Sequence, residues 1–274
     1  MEVEADSWGR VVRRPAASLL ACLAVTLAAG CGGGVAGPTC STGAGAGSCT
    51  RVLFLGNSYT YVNDLPSTFA KLSQSSGRPV QTDMVANGAE TLAQHAASPD
   101  DASKIASQGW SYVVLQEQSD TPAYSRADWY IYPSAQTLVV KAKAVGATSM
   151  LFMTWAHKAG EPSAGLPGYE STQQRIDGTY VALSGELHVP VAPVGYTWYH
   201  VRQDHPDINL WQDDGSHPTT AGTYLAACVF YAAIFGQSPD GITFHDGLPD
   251  DQARILQDEA SHGVLDMQTE WGLR

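Results

Sequence analysis

From residue 51 onward, short and continuously apolar segments alternate with longer segments that have helical character. Five apolar segments predict strands: RVLFL from Arg51, VQTDMVAN from Val80, SYVVLQEQ from Ser111, SMLFMTWA from Ser149 and VPVAPVG from Val189. Apolar runs that do not alternate with polar positions are typical of strands buried on both faces. The pattern therefore predicts an α/β protein in which helices cover both sides of a mostly parallel sheet.

The segments between and after these strands predict helices. They are DLPSTFAKLSQSSG, ETLAQHA, PSAQTLVVKAKAVG, YESTQQRIDGTYVALSGELH, TTAGTYLAACVFYAAIFG and DDQARILQDEASHGVL. Gly77, Gly146 and Gly236 are the predicted stops of three of them. Strand and helix alternate about five times, which predicts three α/β/α layers around a doubly wound, flavodoxin-like sheet of about five strands.

The N-terminal 50 residues have a different composition from the rest. Residues 1–30 contain Arg10, Arg13 and Arg14 before the apolar run AASLLACLAVTLAA, an arrangement typical of an export signal. The run ends in LAAGC at Cys31, which resembles a bacterial lipobox, where the signal is cleaved before a cysteine that then carries lipid. An ordinary cleaved secretory signal is the alternative. Residues 31–50 are rich in Gly, Ala and Ser and predict a flexible tether.

This organisation predicts a signal at 1–30, a tether at 31–50 and one domain at 51–274. The protein is then exported and either lipid-anchored to the bacterial cell envelope or released as a periplasmic or extracellular protein. In that oxidising environment a Cys40–Cys49 disulfide is plausible across a flexible loop. Cys228 lies in the apolar segment YLAACVFYAAIF and predicts a buried thiol.

The net charge of the chain is −12, and no lysine or arginine cluster occurs in its body. Nucleic-acid binding is therefore disfavoured.

Polar residues follow several predicted strands at the point where each strand ends. They are Ser58, Gly88, the stretch 116–119 and the stretch 155–158. Because the carboxyl ends of parallel strands meet at one edge of a sheet, and ligands bind at that edge, we expect these residues to form a site.

A serine nucleophile needs an imidazole to accept its proton and a carboxylate to orient that imidazole. The stretch LWQDDGSHPTTAG supplies both, with Asp214 and His217 three positions apart in a tight turn. Asp213 is the alternative carboxylate. Taken alone, Asn57 and Ser58 are also explained as a helix cap.

These motifs resemble those of the SGNH/GDSL hydrolase superfamily. GNSYT is similar to its first block, with Ser58 as the nucleophile, and DGSHPT is similar to its last block, with Asp214 and His217 as acid and base. VANGAETL is similar to the second block, whose glycine, here Gly88, gives a backbone N–H to the oxyanion hole. LQEQSD stands where the third block has G-x-N-D, and some carbohydrate-deacetylating relatives have Gln there. The resemblance therefore implies Gln116, or else Gln118, as the side-chain donor beside the N–H groups of Ser58 and Gly88.

The sequence thus predicts a serine esterase that acts without a cofactor on a small acyl ester, plausibly an acetyl group on a glycan. A lipid anchor is its only expected contact with the membrane. Two alternatives stay open: a non-catalytic carbohydrate-binding lipoprotein of the envelope, and an O-acyltransferase that uses the same triad. His200, Asp204, His205 and Asp207 form a histidine and acid cluster, but their spacing matches no zinc motif.

Nearby residues have two readings. His157 and Lys158 either line the substrate pocket or lie on a surface loop. Trp155, Trp198, Tyr199 and Trp211 either stack on sugar rings or pack in the core.

Overall fold

The computed structural model describes residues 49–107 and 109–273. The predicted signal, Cys31, Cys40 and nearly all of the predicted tether lie outside the described residues. Cys49 takes part in a disulfide bond, and the predicted pairing with Cys40 stays a prediction. No helix within the described ranges is both long enough and apolar enough to span a membrane.

Five parallel strands form one sheet. They are β1 (Thr50–Gly56), β2 (Val80–Ala86), β3 (Tyr112–Leu115), β4 (Thr148–Phe152) and β5 (Val191–Ala192). Their order across the sheet is β2-β1-β3-β4-β5, and every neighbouring pair is parallel. This is the flavodoxin-like order, so the predicted fold class is confirmed.

The described residues also contain nine α-helices. They are α1 (Ser58–Tyr61), α2 (Leu65–Ser75), α3 (Leu92–Ala97), α4 (Pro99–Ser107), α5 (Ala127–Ala144), α6 (Tyr169–Leu187), α7 (Val194–Asp204), α8 (Thr220–Phe235) and α9 (Asp250–Leu265). Helices α2 and α8 pack on each other and on the sheet, and α9 packs on α8. Helices α3, α5 and α6 form a second row that also contacts the sheet, and α4 packs on α3 and α5. The sheet is therefore the middle of three layers.

The two faces of the sheet are closed by apolar side chains. The central positions of β1, β3 and β4 are fully buried, and α8 is buried on nearly all sides, which fits its almost entirely apolar sequence. Cys228 lies in this helix as a free, buried thiol, as predicted. The core places the carboxyl ends of β1 and β3 side by side, at the point where the strand order reverses.

The structure differs from the predicted elements at three points. Helix α5 begins at Ala127 rather than at Pro133, since the proline is accommodated inside the helix. The segment from Val189 is a strand only at Val191–Ala192 and turns into α7 at once, because a short apolar run does not distinguish strand from buried helix. Helix α4 was not predicted, although Pro99 and the two aspartates after it are typical of a helix start.

Two helices pack closely against the end of β4, α7 through a glycine and α6 through a glutamine. A Cβ atom at Gly195 would lie 2.0 Å from the Thr154 carbonyl oxygen. On α6, Gln173 accepts a hydrogen bond from the Ala156 N–H at 2.7 Å and donates to the Thr154 carbonyl at 3.2 Å and to Asp177 at 2.8 Å. The loop after β4 is therefore fixed from both sides.

Asp177 makes the stability of this region depend on pH. Burial raises the pKa of its carboxyl from the ordinary 3.8 to about 7, against the lowering effect of the Gln173 hydrogen bond. Between these two pH values the folded chain holds a proton that the unfolded chain has released, so stability falls as pH rises through this window. We expect Asp177→Asn to raise the melting temperature at pH 8 by about 2–4 °C, equivalent to about 1 kcal/mol.

Calorimetry at pH 8 and pH 4 checks this expectation. The gain should shrink at pH 4, where Asp177 is protonated in the folded chain, and the control Asp213→Asn changes an exposed carboxylate. A variant less stable than the parent at pH 8 would show that the carboxylate of Asp177 stabilises the fold.

Candidate active site

Ser58 is the first residue of α1, and one residue separates it from the end of β1. The preceding residue, Asn57, is buried and caps this short helix, since its side chain accepts a hydrogen bond from the Tyr59 N–H at 3.1 Å. The cap and the serine are thus separate residues, and capping does not occupy the Ser58 hydroxyl. That hydroxyl is partly exposed at the carboxyl edge of the sheet.

The structure brings Ser58, His217 and Asp214 together in a chain of hydrogen bonds. His217 Nε2 lies 2.9 Å from Ser58 Oγ, and His217 Nδ1 lies 2.5 Å from Asp214 Oδ2. The imidazole thus faces the serine with one nitrogen and the carboxylate with the other. This arrangement lets the ring accept the serine proton while the carboxylate stabilises the resulting positive charge.

The turn before α8 holds the carboxylate in place. Asp214 Oδ1 accepts the N–H groups of Ser216 and His217, both at 2.9 Å. Its hydrogen bond to His217 and these backbone bonds lower the pKa of Asp214 to about 2, so the group is ionised at any ordinary pH. The alternative carboxylate, Asp213, is exposed, and the contact to the imidazole comes from Asp214.

Aromatic side chains contact the triad turn, which is the turn before α8 that carries Asp214 and His217. Trp155 donates its indole N–H to the Ser216 carbonyl at 2.9 Å, and the Tyr59 hydroxyl lies 2.9 Å from Ser216 Oγ. Trp155 is stacked between Tyr59 and Trp198, with ring centroids 4.4 and 4.1 Å apart. Trp155, Trp198 and Trp211 are at most 3% exposed, so they pack in the core and offer no face to a sugar ring.

The backbone N–H groups of Ser58 and Gly88 have no hydrogen-bond acceptor among the described residues. Gly88 lies in the exposed loop after β2, and a bond of 3.1 Å from Asn57 Nδ2 to the Glu90 carbonyl ties this loop to the nucleophile loop. One unpaired donor thus lies on the nucleophile loop and one on the loop bonded to it, and such N–H groups are the kind that an oxyanion hole uses.

Gln116 has a different environment from the one that an oxyanion donor needs. Its side chain is fully buried, and its amide nitrogen donates to Asn57 Oδ1 at 2.8 Å and to the Glu117 carbonyl at 2.7 Å. Both amide hydrogens are therefore used inside the protein. Gln118 is partly exposed and its amide nitrogen has only long contacts, 3.3 and 3.4 Å, to Ser119 and Asp120. Its amide oxygen accepts the N–H groups of Asp120 and Thr121 and the Thr121 hydroxyl, each at 3.0 Å, so the amide plane is held. Of the two predicted glutamines, only Gln118 has amide hydrogens without a short bond inside the protein.

Charged side chains lie on the loops around the triad of Ser58, His217 and Asp214, and we call this region the entrance. His157 Nε2 lies 3.2 Å from Asp120, and its Nδ1 lies 3.5 Å from Glu161. Lys158, the next residue, is bonded to the triad turn through its backbone N–H and the Gly215 carbonyl at 2.8 Å. Burial raises the pKa of the Tyr59 hydroxyl, and the charges of Asp120 and Asp214 act in the same direction.

Two groups of side chains in the described part of the chain have ligand atoms close enough to hold a metal ion. One is Asp120, His157 and Glu161, and the other is Glu90, His95 and Asp101. The cluster from His200 to Asp207 is not among them; His205 instead pairs with Glu259 at 3.3 Å.

Sequence reasoning missed the residues that hold the site together. His95 and Asp101 were assigned no role, and neither were Tyr59, Asp120 and Glu161. Tyr59 contacts Ser216 far along the chain, and Asp120 contacts His157 in the loop after the next strand. The pairs His95–Asp101 and His157–Glu161 are six and four positions apart, but no motif marks them in the sequence. The only available signal was that these residues follow the same strand ends as the predicted site.

No family model matches the chain, and no curated protein matches it. Solved structures do match its fold. A putative SGNH hydrolase from Slackia heliotrinireducens is 27% identical, with a TM-score of 0.56 over 67% of this chain and 97% of its own. The chain has the SGNH/GDSL-type hydrolase fold.

Two further structures share this fold at lower identity. A DUF4886 family protein from Bacteroides uniformis is 16% identical, with a TM-score of 0.66 over 80% of this chain and 95% of its own. An acetylxylan esterase from Geobacillus stearothermophilus is 14% identical, with a TM-score of 0.53 over 68% of this chain and 94% of its own. The structural neighbours of this SGNH-type chain therefore include known esterases.

Proposed function

We propose that this SGNH-type protein is a serine esterase that cleaves small acyl esters. The observation that carries the proposal is the continuous contact from Ser58 Oγ through the His217 imidazole to Asp214, at 2.9 and 2.5 Å. A binding protein gains nothing from this order of hydroxyl, imidazole and carboxylate, whereas an acyl transfer reaction needs all three.

The reaction proceeds in two steps. His217 Nε2 takes the Ser58 proton as Oγ attacks the ester carbonyl, and the tetrahedral oxyanion receives the N–H groups of Ser58 and Gly88. His217 then gives its proton to the departing alcohol, which leaves an acyl-serine. A water molecule, deprotonated by the same imidazole, attacks this acyl group, and the carboxylic acid and free Ser58 are formed.

Gln118 completes the oxyanion hole in this proposal. The amide of Gln116 is occupied by Asn57 and the Glu117 carbonyl, whereas Gln118 lies at the same strand end with weakly held amide hydrogens. Removal of one oxyanion donor typically lowers kcat by about 10²–10³-fold.

The finer part of the proposal is that the alcohol is a carbohydrate and the acyl group is acetyl. Asp120, His157, Glu161 and Ser119 make the entrance rich in hydrogen-bonding groups, which suits a hydroxyl-rich alcohol better than a long hydrocarbon chain. The acetylxylan esterase of the same fold supports this substrate class. The buried tryptophans do not, since they are closed off from any ligand.

We further propose that the enzyme is exported and anchored to the cell envelope through lipid on Cys31. The motif LAAGC and the apolar run before it support this proposal. Hydrolysis of glycan esters outside the cell is consistent with such an anchor.

The first prediction from this proposal concerns the nucleophile. Ser58→Ala is expected to lower the rate of p-nitrophenyl acetate hydrolysis by at least about 10³-fold, because no other group forms the acyl intermediate. Ser103→Ala, on the exposed surface of α4, serves as the matched control and should retain the parent rate. Equal rates in the parent and Ser58→Ala would favour the non-catalytic carbohydrate-binding alternative, and acyl transfer to an added acceptor sugar would favour the transferase.

The second prediction separates two adjacent carboxylates. Asp214→Asn is expected to lower kcat by about 10²-fold or more, because the amide no longer stabilises the imidazolium. Asp213→Asn, one position earlier and exposed, should change kcat less than about twofold. Steady-state kinetics on p-nitrophenyl acetate decides the matter, and the reverse order of effects would assign the acid to Asp213.

The third prediction concerns the anchor. When the full chain is expressed in a bacterium supplied with a labelled fatty acid, Cys31→Ser should abolish label incorporation and release the protein from membranes. Cys22→Ser, inside the signal run, is the control and should keep the label. An unlabelled parent protein found in the culture medium would identify an ordinary secretory signal instead.

A further inference from the structure

A histidine–aspartate pair with the same short contact as the triad pair lies next to the nucleophile loop. His95 Nδ1 lies 2.5 Å from Asp101 Oδ2, the same separation as between His217 and Asp214. The two pairs differ in exposure: the side chains of His95 and Asp101 are 0 and 5% exposed, whereas those of His217 and Asp214 are 33 and 46% exposed. A buried histidine without access to substrate requires a different explanation from the triad histidine.

The second nitrogen of His95 contacts the backbone of β1. His95 Nε2 lies 3.0 Å from the carbonyl oxygen of Gly56, the last residue of the strand. A carbonyl oxygen accepts hydrogen bonds and cannot donate, so Nε2 must carry a hydrogen. The ring therefore donates to Gly56 while Asp101 holds its other nitrogen.

Asp101 is itself held in a fixed orientation. Its Oδ1 accepts the Ser98 hydroxyl at 2.8 Å, and its backbone N–H donates to Ser98 Oγ at 3.1 Å. The 2.5 Å contact to His95 Nδ1 satisfies the remaining carboxylate oxygen. The Glu90 carboxylate lies 3.6 Å from His95 Nε2, and the buried Glu117 carboxyl is also close enough to interact with the charge of the ring.

The Gly56 carbonyl and the Asn57 N–H belong to one peptide group, and both ends of that group are held. His95 Nε2 bonds to the carbonyl oxygen at 3.0 Å, and Gln116 Oε1 accepts the Asn57 N–H at 3.0 Å. Gln116 is also fixed by Asn57 Oδ1 and by the Thr60 hydroxyl. The Gly56–Asn57 peptide plane, one peptide before the one that carries the Ser58 N–H, therefore cannot rotate without breaking a buried hydrogen bond at one of its ends.

We propose that His95, held by Asp101, is a positioning residue that clamps the Gly56–Asn57 peptide together with Gln116, and that this clamp sets the direction of the Ser58 hydroxyl and N–H. The role rests on the proposed esterase function only for its kinetic consequence. His95 contacts neither the nucleophile nor the imidazole that activates it, so it acts through the backbone. A misplacement of about 1 Å at the nucleophile can lower a rate by about 10²-fold.

The same cluster extends the clamp to the second loop of the site. Glu90 accepts the N–H of Asn87 at 3.0 Å and the Asn87 side-chain amide at 2.8 Å through its carboxylate. Its carbonyl accepts Asn57 Nδ2 at 3.1 Å. The loop that carries Gly88 and the loop that carries Ser58 therefore meet at one polar cluster, which is buried at Asn57 and His95 and partly exposed at Glu90. This cluster fixes the two N–H groups relative to each other.

The test uses two variants of equal length. His95→Gln retains an amide donor that reaches the Gly56 carbonyl, whereas His95→Met fills similar space without a donor, and both lose the bond to Asp101. We expect His95→Met to lower kcat on p-nitrophenyl acetate by about 10–100-fold with KM within about twofold, and His95→Gln to stay within about threefold of the parent. A merely structural role would lower the melting temperature of both variants without separating their kcat values.

A second measurement does not depend on turnover. Hydrogen exchange of the peptide covering residues 54–61 should be faster in His95→Met than in His95→Gln. If the parent hydrolyses no ester but this difference is seen, the proposed function fails and the clamp stands. Equal exchange in the two variants, or equal kcat in two folded variants, overturns the clamp.

Both variants leave Asp101 as an unpaired buried carboxylate, which can prevent folding. The same comparison is then made in the Asp101→Asn background, where the unpaired group is neutral. The expected order is unchanged, with the methionine variant slower in turnover and faster in exchange. Identical behaviour of the two double variants overturns the proposal.

Discussion

The architecture of this protein depends on one constraint: a hydroxyl near the start of the domain and an imidazole near its end must meet within hydrogen-bond distance. Ser58 and His217 are 159 positions apart and lie 2.9 Å from each other. No local turn produces such a contact. A parallel sheet does, because each crossover returns the chain to the same edge, and the strand reversal beside β1 leaves a crevice there. The apolar core on both faces keeps that edge rigid.

The rigidity of the edge comes from buried polar groups that satisfy one another. Asn57, Gln116 and His95 lie within the core at no more than 1% exposure, and each side chain is hydrogen-bonded at more than one atom. Leaving one buried partner unpaired costs about 1–3 kcal/mol, so the set holds only one arrangement. The nucleophile loop is therefore fixed by interactions that never touch a ligand.

The sequence allowed the fold to be predicted well, and the site only in part. The segments chosen from the sequence predicted all five strands, and the signal is clearest in RVLFL, because burial on both faces leaves a continuous apolar run. The signal is weaker in β2, which is only partly buried and contains Gln81, Thr82 and Asp83. The same signal failed at VPVAPVG, where only two residues form a strand and the chain then enters α7. This helix packs so closely on the end of β4 that only glycine fits at position 195. Ser58, Asp214 and His217 could be chosen because each needs a specific chemical type. The environment of Gln116 could not be predicted, since it depends on which buried acceptors face its amide.

Exposure and the partner of the second ring nitrogen, rather than pair geometry, separate the His95–Asp101 pair from the His217–Asp214 pair. Both have the same 2.5 Å contact. At His217 the free nitrogen faces a partly exposed hydroxyl, so its proton can move to and from a reacting group. At His95 the other nitrogen faces a backbone carbonyl, which has no proton to give and no route to water, and the pair can only hold what it contacts. The atom that the second ring nitrogen contacts therefore decides whether a histidine beside an aspartate acts as a general base or as a positioning residue.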